Sequence, residues 1–120
     1  MTDLHMGAAE SRFADIIWEH EPIATTVIVQ ICEKELQWKK TTTYTVLKRL
    51  CEKGIFQNDR GTVTSLLSRE EFYARQSERF VEETFGGSLP AFLAAFTKRK
   101  ALSEEEVRTL RDMIDTYKEE

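Results

Sequence analysis

Between positions 39 and 60 the chain gathers six basic residues, Lys39, Lys40, Lys48, Arg49, Lys53 and Arg60, against two acidic ones, Glu52 and Asp59. Ammonium and guanidinium groups at this density attract phosphate. Interleaved with them are Thr41, Thr42, Tyr44 and Thr45, whose hydroxyls suit phosphate oxygens and base edges and whose threonine methyl groups suit the methyl of thymine. The flanking sequence has the opposite sign: residues 1–33 sum to −5 and residues 61–120 to −3, for a net charge of −4. The basic segment is therefore either a phosphate-binding footprint or an ordinary solvated helix face, and the elements around it must decide.

Other chemistries find little support. Cys32 and Cys51 have no CxxC partner, and His5 and His20 lie neither near a cysteine nor at helical spacing from one another, so no metal site and no disulfide framework is expected. Glu104, Glu105 and Glu106 splay around a helix rather than converge, and carboxylates in a first turn complement the helix dipole. No nucleophile–base set and no phosphate-cradling glycine loop is present, so neither catalysis nor a cofactor is expected. Trp18 and Trp38 read as packing residues.

The chain has 120 residues, 41% apolar and 32% charged, with five Gly and two Pro. That is one domain's length with a helix-favouring composition, able to bury about two-thirds of its unfolded surface. The longest apolar run, Ala91 to Phe96, is far short of the roughly 20 residues of a membrane span, and the first residues lack the basic and apolar regions of a leader. A cytoplasmic protein without membrane insertion is expected.

Phe13, Ile16, Ile17 and Trp18 recur at helical spacing and predict a helix over 8–20, closed by Pro22. Val27, Ile28, Ile31, Cys32 and Leu36 predict a second from about Thr25, and Thr43, Val46, Leu47 and Leu50 the buried stripe of a third over 39–53, ended by Gly54. The period then drops to two, giving strands near 55–58 and 62–66 around a turn with Gly61. Three helices and a hairpin make a winged helix-turn-helix, whose third helix fits the roughly 12 Å major groove of B-DNA while the wing reaches the adjacent backbone. The stripe leaves Thr41, Thr42, Tyr44, Thr45, Lys48 and Arg49 facing outward. Lys39 and Lys40 before the helix and Arg60 at the wing tip are expected on DNA backbone, and Arg49 has a second option, an ion pair back to the first helix.

The rest is helical. Phe72, Gln76, Phe80 and Phe85 form one stripe up to the break at Gly86 and Gly87; Leu89, Phe92, Leu93 and Phe96 form a second; Val107, Leu110, Ile114 and Tyr117 follow a Ser103-x-x-Glu106 capping box. These helices carry more large apolar groups than a tail of this size can bury, so they either pack on the wing domain or, preferably, exchange faces in a symmetric dimer. The expected dimer residues are Phe72, Phe80, Leu89, Phe92, Leu93, Phe96, Val107, Leu110 and Ile114. The fold class is mainly α with a small β-wing: a winged helix-turn-helix DNA-binding domain over 1–67 and a helical dimerisation domain over 68–120.

With these elements in place the chain resembles the penicillinase-repressor family of BlaI/MecI-type winged-helix repressors, over about Ala9 to Ile114. The resemblance is carried by Ala9, Glu10 and Trp18; by Trp38, Thr42, Thr45, Leu47, Arg49, Leu50, Lys53 and Gly54; by Leu66, Ser68, Arg69, Glu70 and Glu71; by Phe85 to Leu89; and by Leu102 to Glu105 with Leu110. It implies a homodimeric transcriptional repressor that grips a palindromic double-stranded DNA operator. It further implies derepression when a membrane-bound metallopeptidase sensor leads to cleavage in the dimerisation region, at the position of Ala95 and Phe96. The chain departs from the family at Ala95, where asparagine is common, and at Thr41 and Tyr44, where basic or amide residues are usual. Val63 stands at a wing position that is usually aromatic. No Cys follows Cys51, unlike the copper-responsive branch. Two other readings fit the same residues: a winged-helix regulator controlled by a ligand, and a winged-helix protein-interaction module without DNA binding.

Overall fold

The computed structural model describes residues 5–117; residues 1–4, part of the stretch read for a leader, lie outside them. The element order is α1 (Ala8–His20), β1 (Ile23–Ala24), α2 (Thr25–Leu36), α3 (Lys40–Glu52), β2 (Phe56–Asp59), β3 (Thr62–Ser65), α4 (Arg69–Phe85), α5 (Leu89–Arg99) and α6 (Glu104–Thr116). None of these helices is long and apolar enough to cross a membrane. The chain forms two compact units, one up to Arg79 and one from Phe80 onward.

The first unit is a three-helix core closed by a sheet of order β1-β3-β2. Phe13, Ala14 and Ile17 of α1, Ile28 and Cys32 of α2 and Leu50 of α3 are fully buried with Ile55, Phe56 and Val63, each helix turning its apolar stripe inward. Trp38 stacks on Phe13 with ring centroids 5.5 Å apart. The turn between α2 and α3 passes through Gln37 in the left-handed region, φ 55°. Helix α3 ends at Gly54, φ 81°, in a Schellman arrangement: Gly54 N–H donates to the Cys51 carbonyl at 3.0 Å and Ile55 N–H to the Leu50 carbonyl at 3.1 Å.

Two features differ from expectation. The two-residue strand β1 pairs antiparallel with β3, Ile23 opposite Val63 and Ala24 opposite Thr62; it is too short to show an alternating pattern. Phe72, expected on the dimer stripe, is instead fully buried in the first unit's core. Its ring lies 5.6 Å from that of Trp18 and 5.2 Å from that of Tyr73. The first turns of α4 belong to the first unit because Trp18 offers them an aromatic face and donates its indole N–H to the Leu67 carbonyl at 3.0 Å. Arg69 also meets the shielded Asp15 carboxylate at 3.4 Å. The compact units accordingly divide later than residue 67.

Both cysteines are free. Burial pushes the Cys32 thiol up to about 11, a rise that the neighbouring Thr43 hydroxyl only partly opposes, and burial also raises the Cys51 thiol. The folded state thus holds the Cys32 proton longer than the unfolded chain. Stability from this group is constant below the ordinary value of 9.0 and is lost as pH rises from there toward 11. A thiol-specific disulfide reagent at pH 8 should label Cys32 no faster than the chain unfolds, while denaturant exposes both thiols at once. Rapid labelling of native Cys32 would contradict this packing.

In the second unit Phe80, Phe85, Phe92 and Phe96 form an aromatic ladder with centroids 5.7–6.1 Å apart. Gly87 sits at φ 83°, a conformation that side chains with a Cβ rarely adopt, so the bend after α4 favours glycine. Ser88 caps α5 by accepting from Ala91 N–H at 3.1 Å. Ser103 and Glu106 form the expected capping box, Glu106 N–H to Ser103 Oγ at 3.1 Å and Ser103 N–H to Glu106 Oε1 at 2.9 Å. The Ser103 backbone N–H, and then its hydroxyl, hold the Glu106 carboxyl below its usual value.

Candidate nucleic-acid interface

Helix α3 presents two faces. Thr43, Val46, Leu47 and Leu50 are buried, and Thr43 donates its hydroxyl back to the Lys39 carbonyl at 3.3 Å. Thr41, Thr42, Thr45, Lys48 and Arg49 are exposed with Lys39 and Lys40 at the start, and Tyr44 is half-buried. No side chain caps the first turn of α3, so its amides are open to an anion. Thr45 donates its hydroxyl to the Thr41 carbonyl at 2.8 Å, which directs that proton into the helix. The Lys40 ammonium stands 6.0 Å from the centre of the Tyr44 ring, so the charge at the start of the helix and its aromatic group are one cluster.

The basic residues of the segment divide into two kinds. Arg49 pairs with Glu10 of α1 at 3.1 Å, its side chain half-exposed, and Lys53 donates to the His5 carbonyl at 2.9 Å. Among the described residues Lys39, Lys48 and Arg60 make no such pair. The alternative considered for Arg49, an ion pair to the first helix, is therefore what the structure holds. A pair this exposed contributes at most about 1 kcal/mol, little enough for a phosphate to compete for the guanidinium.

The wing is a hairpin with Arg60 and Gly61 as its two turn residues, at φ 53° and 91°. Two successive positive φ values are what a type I′ turn requires, the turn whose twist matches paired strands. Asn58 Oδ1 accepts from Gly61 N–H at 2.9 Å, and the exposed Arg60 stands at the tip. Val63 is fully buried, so the chain carries no aromatic group on the wing surface at that position. Sequence reasoning missed the bonds that hold the wing from outside. Glu21 takes Ser65, and Thr25 takes Gly61; no spacing rule links residues that far apart.

The fold matches the expected architecture, and a family model decides the assignment: the penicillinase repressor model matches residues 6–116. The chain belongs to the penicillinase repressor family. Its relatives include a penicillinase repressor of Bacillus licheniformis, 26% identical over 114 residues, covering 92% of this chain and 89% of that protein. The methicillin resistance regulatory protein MecI of Mammaliicoccus sciuri is 21% identical, covering 92% and 93%. A penicillinase repressor of Staphylococcus aureus is 22% identical, covering 93% and 92%. Penicillinase repressor family members are regulators rather than enzymes, and so is this one.

Proposed function

We propose that this penicillinase repressor family member is a homodimeric transcriptional repressor that binds a palindromic operator. The observation that carries the reading is the outward face of α3, with Lys39, Lys40, Thr41, Thr42, Thr45 and Lys48 exposed around Tyr44, on a unit that also exposes Arg60 at the wing tip. Lys39, Lys40, Lys48 and Arg60 hold DNA backbone, with Arg49 joining them when a phosphate displaces Glu10. Thr42, Tyr44 and Thr45 meet base edges. The dimer is supported by the second unit, where α5 and α6 have no buried residue. There Leu89 is 63% exposed and Ile114 72%, faces that a second copy would cover. Derepression follows from a cut between Ala95 and Phe96, both exposed within α5, made under the control of a membrane-bound metallopeptidase sensor. A protease reaches that bond by local opening of a helix whose packing is thin.

The test is a gel-shift titration of the intact chain against the DNA upstream of its own gene at two salt concentrations. A dimer neutralising about six to ten phosphates loses roughly 10³–10⁵ in affinity between 50 and 200 mM salt. Lys48→Ala should weaken binding to all duplexes alike and flatten the salt slope by about one per protomer. Tyr44→Ala should change which operator bases matter, at about 1–3 kcal/mol for a base contact. Association independent of salt, or absent with every duplex, would overturn the reading. A uniform loss for Tyr44→Ala would move that residue to the backbone contacts.

A further inference from the structure

The wing is held at both ends by groups that lie outside it. At the tip, Thr25 N–H at the start of α2 donates to the Gly61 carbonyl at 2.9 Å. At the base, the Glu21 carboxylate takes Ser65, the last residue of β3. Oε1 accepts from Ser65 N–H at 2.7 Å, and the Ser65 hydroxyl lies 2.9 Å from Oε1 and 2.8 Å from Oε2. Both residues are partly buried, and hydrogen bonds to a carboxylate are stronger than those between neutral groups. Ser65 stands opposite Phe56 in the β2–β3 register, and the Phe56 ring is fully buried. The carboxylate thus acts where the hairpin enters the core.

Strand β3 is central, paired to β1 on one side and β2 on the other. Its four residues run from Thr62 beside the turn to Ser65 at the base, so the Glu21 bonds at Ser65 and the Thr25 bond at Gly61 hold the two ends of one strand, and Arg60 stands at its far end. We infer that Glu21 is a positioning residue for the wing: by fixing Ser65 it sets the line of β3, and with it the place from which Arg60 meets the DNA backbone, without touching DNA itself. The inference rests on the DNA-binding reading above. It assigns to the end of α1 a role in operator affinity that neither the basic segment nor the recognition face reveals.

The test is a set of salt titrations of the full-length chain on the DNA upstream of its own gene, with Glu21→Ala, Arg60→Ala and the double variant. Arg60→Ala should lose about five- to ten-fold and lower the salt slope by about one per protomer. Glu21→Ala should lose about three- to ten-fold with a similar fall in slope, although it removes no cation. The double variant should bind within about two-fold of Arg60→Ala, because residues acting through one contact are not additive. Glu21→Gln, which keeps an acceptor for Ser65 N–H, should recover most of the affinity. Losses that multiply in the double variant, or an unchanged slope in Glu21→Ala, would overturn the inference. If circular dichroism shows Glu21→Ala unfolded, Ser65→Ala serves instead: an affinity loss of about two- to three-fold that vanishes on the Arg60→Ala background supports the inference, and one that persists there overturns it. An intact chain that retards no duplex would remove the DNA-binding reading and this inference together, whereas an intact chain that binds while the variants multiply would remove this inference alone.

Discussion

A chain ended at Ala95 should sediment as a monomer and release its operator. The cut removes Phe96, which stands 6.1 Å from Phe92 at the end of the aromatic ladder, and the whole of α6 with Val107, Leu110 and Ile114. What is left of the second unit is the end of α4 and the first seven of the eleven residues of α5, too little apolar surface to hold two copies together. A dimer grips its second half-site as an intramolecular event, and losing that linkage costs on the order of 10²–10⁴ in affinity. On the proposed operator-binding reading each winged unit would keep its own half-site contacts, so residual binding should be weak and salt-sensitive. Sedimentation of the truncated and intact chains, with parallel operator titrations, checks this. A stable truncated dimer with undiminished affinity would place the clamp elsewhere than α5 and α6. The outcome depends on the dimer and not on which protease makes the cut.

Phe72→Ala should have the largest effect on stability. The side chain is fully buried and touches Trp18 and Tyr73, so its removal deletes a large apolar group and leaves a cavity, at about 3–5 kcal/mol. For a unit of this size that is a fall in melting temperature of about 15 °C or more. Phe80→Ala is the control. Phe80 lies beyond the boundary between the units and is 49% exposed, so its loss should leave the melting of the winged unit in place and weaken self-association instead. Thermal unfolding followed by circular dichroism, paired with sedimentation, separates the two. If Phe72→Ala kept its melting temperature and lost the dimer, Phe72 would belong to the dimer face after all.

These two phenylalanines also mark how far the sequence was legible. Periodicity placed α1, the start of α2 and both ends of α3 to within about a residue, and the buried stripe of α3 matched residue for residue, because both follow from local spacing. Gly54 announced the end of α3 through the one backbone conformation that favours glycine. Phe72 and Phe80 share one stripe eight residues apart, and nothing in that stripe says that its first turns dock on Trp18 while its last do not. The strand β1 was silent because two residues cannot alternate. The Arg49 ion pair was visible as an option, since an exposed arginine chooses among partners by geometry alone. Glu21 gave no sign, because its partner Ser65 is 44 positions away and meets it only once the hairpin has folded back.

The closure of the first unit by Phe72 orders the events of synthesis. Pairing of Ile23 with Val63 joins residues 40 positions apart, and the aromatic cover on Trp18 comes later still, from Phe72 and Tyr73. Without the first turns of α4, the three helices and the hairpin would leave one side of Trp18 bare, an apolar surface of the kind prone to stray association. The winged unit is finished only when the first turns of α4 have emerged, so the same helix that completes one unit starts the next. A chain ended before α4 should therefore be an incomplete fold, open to the chaperones and proteases that act on unfinished chains.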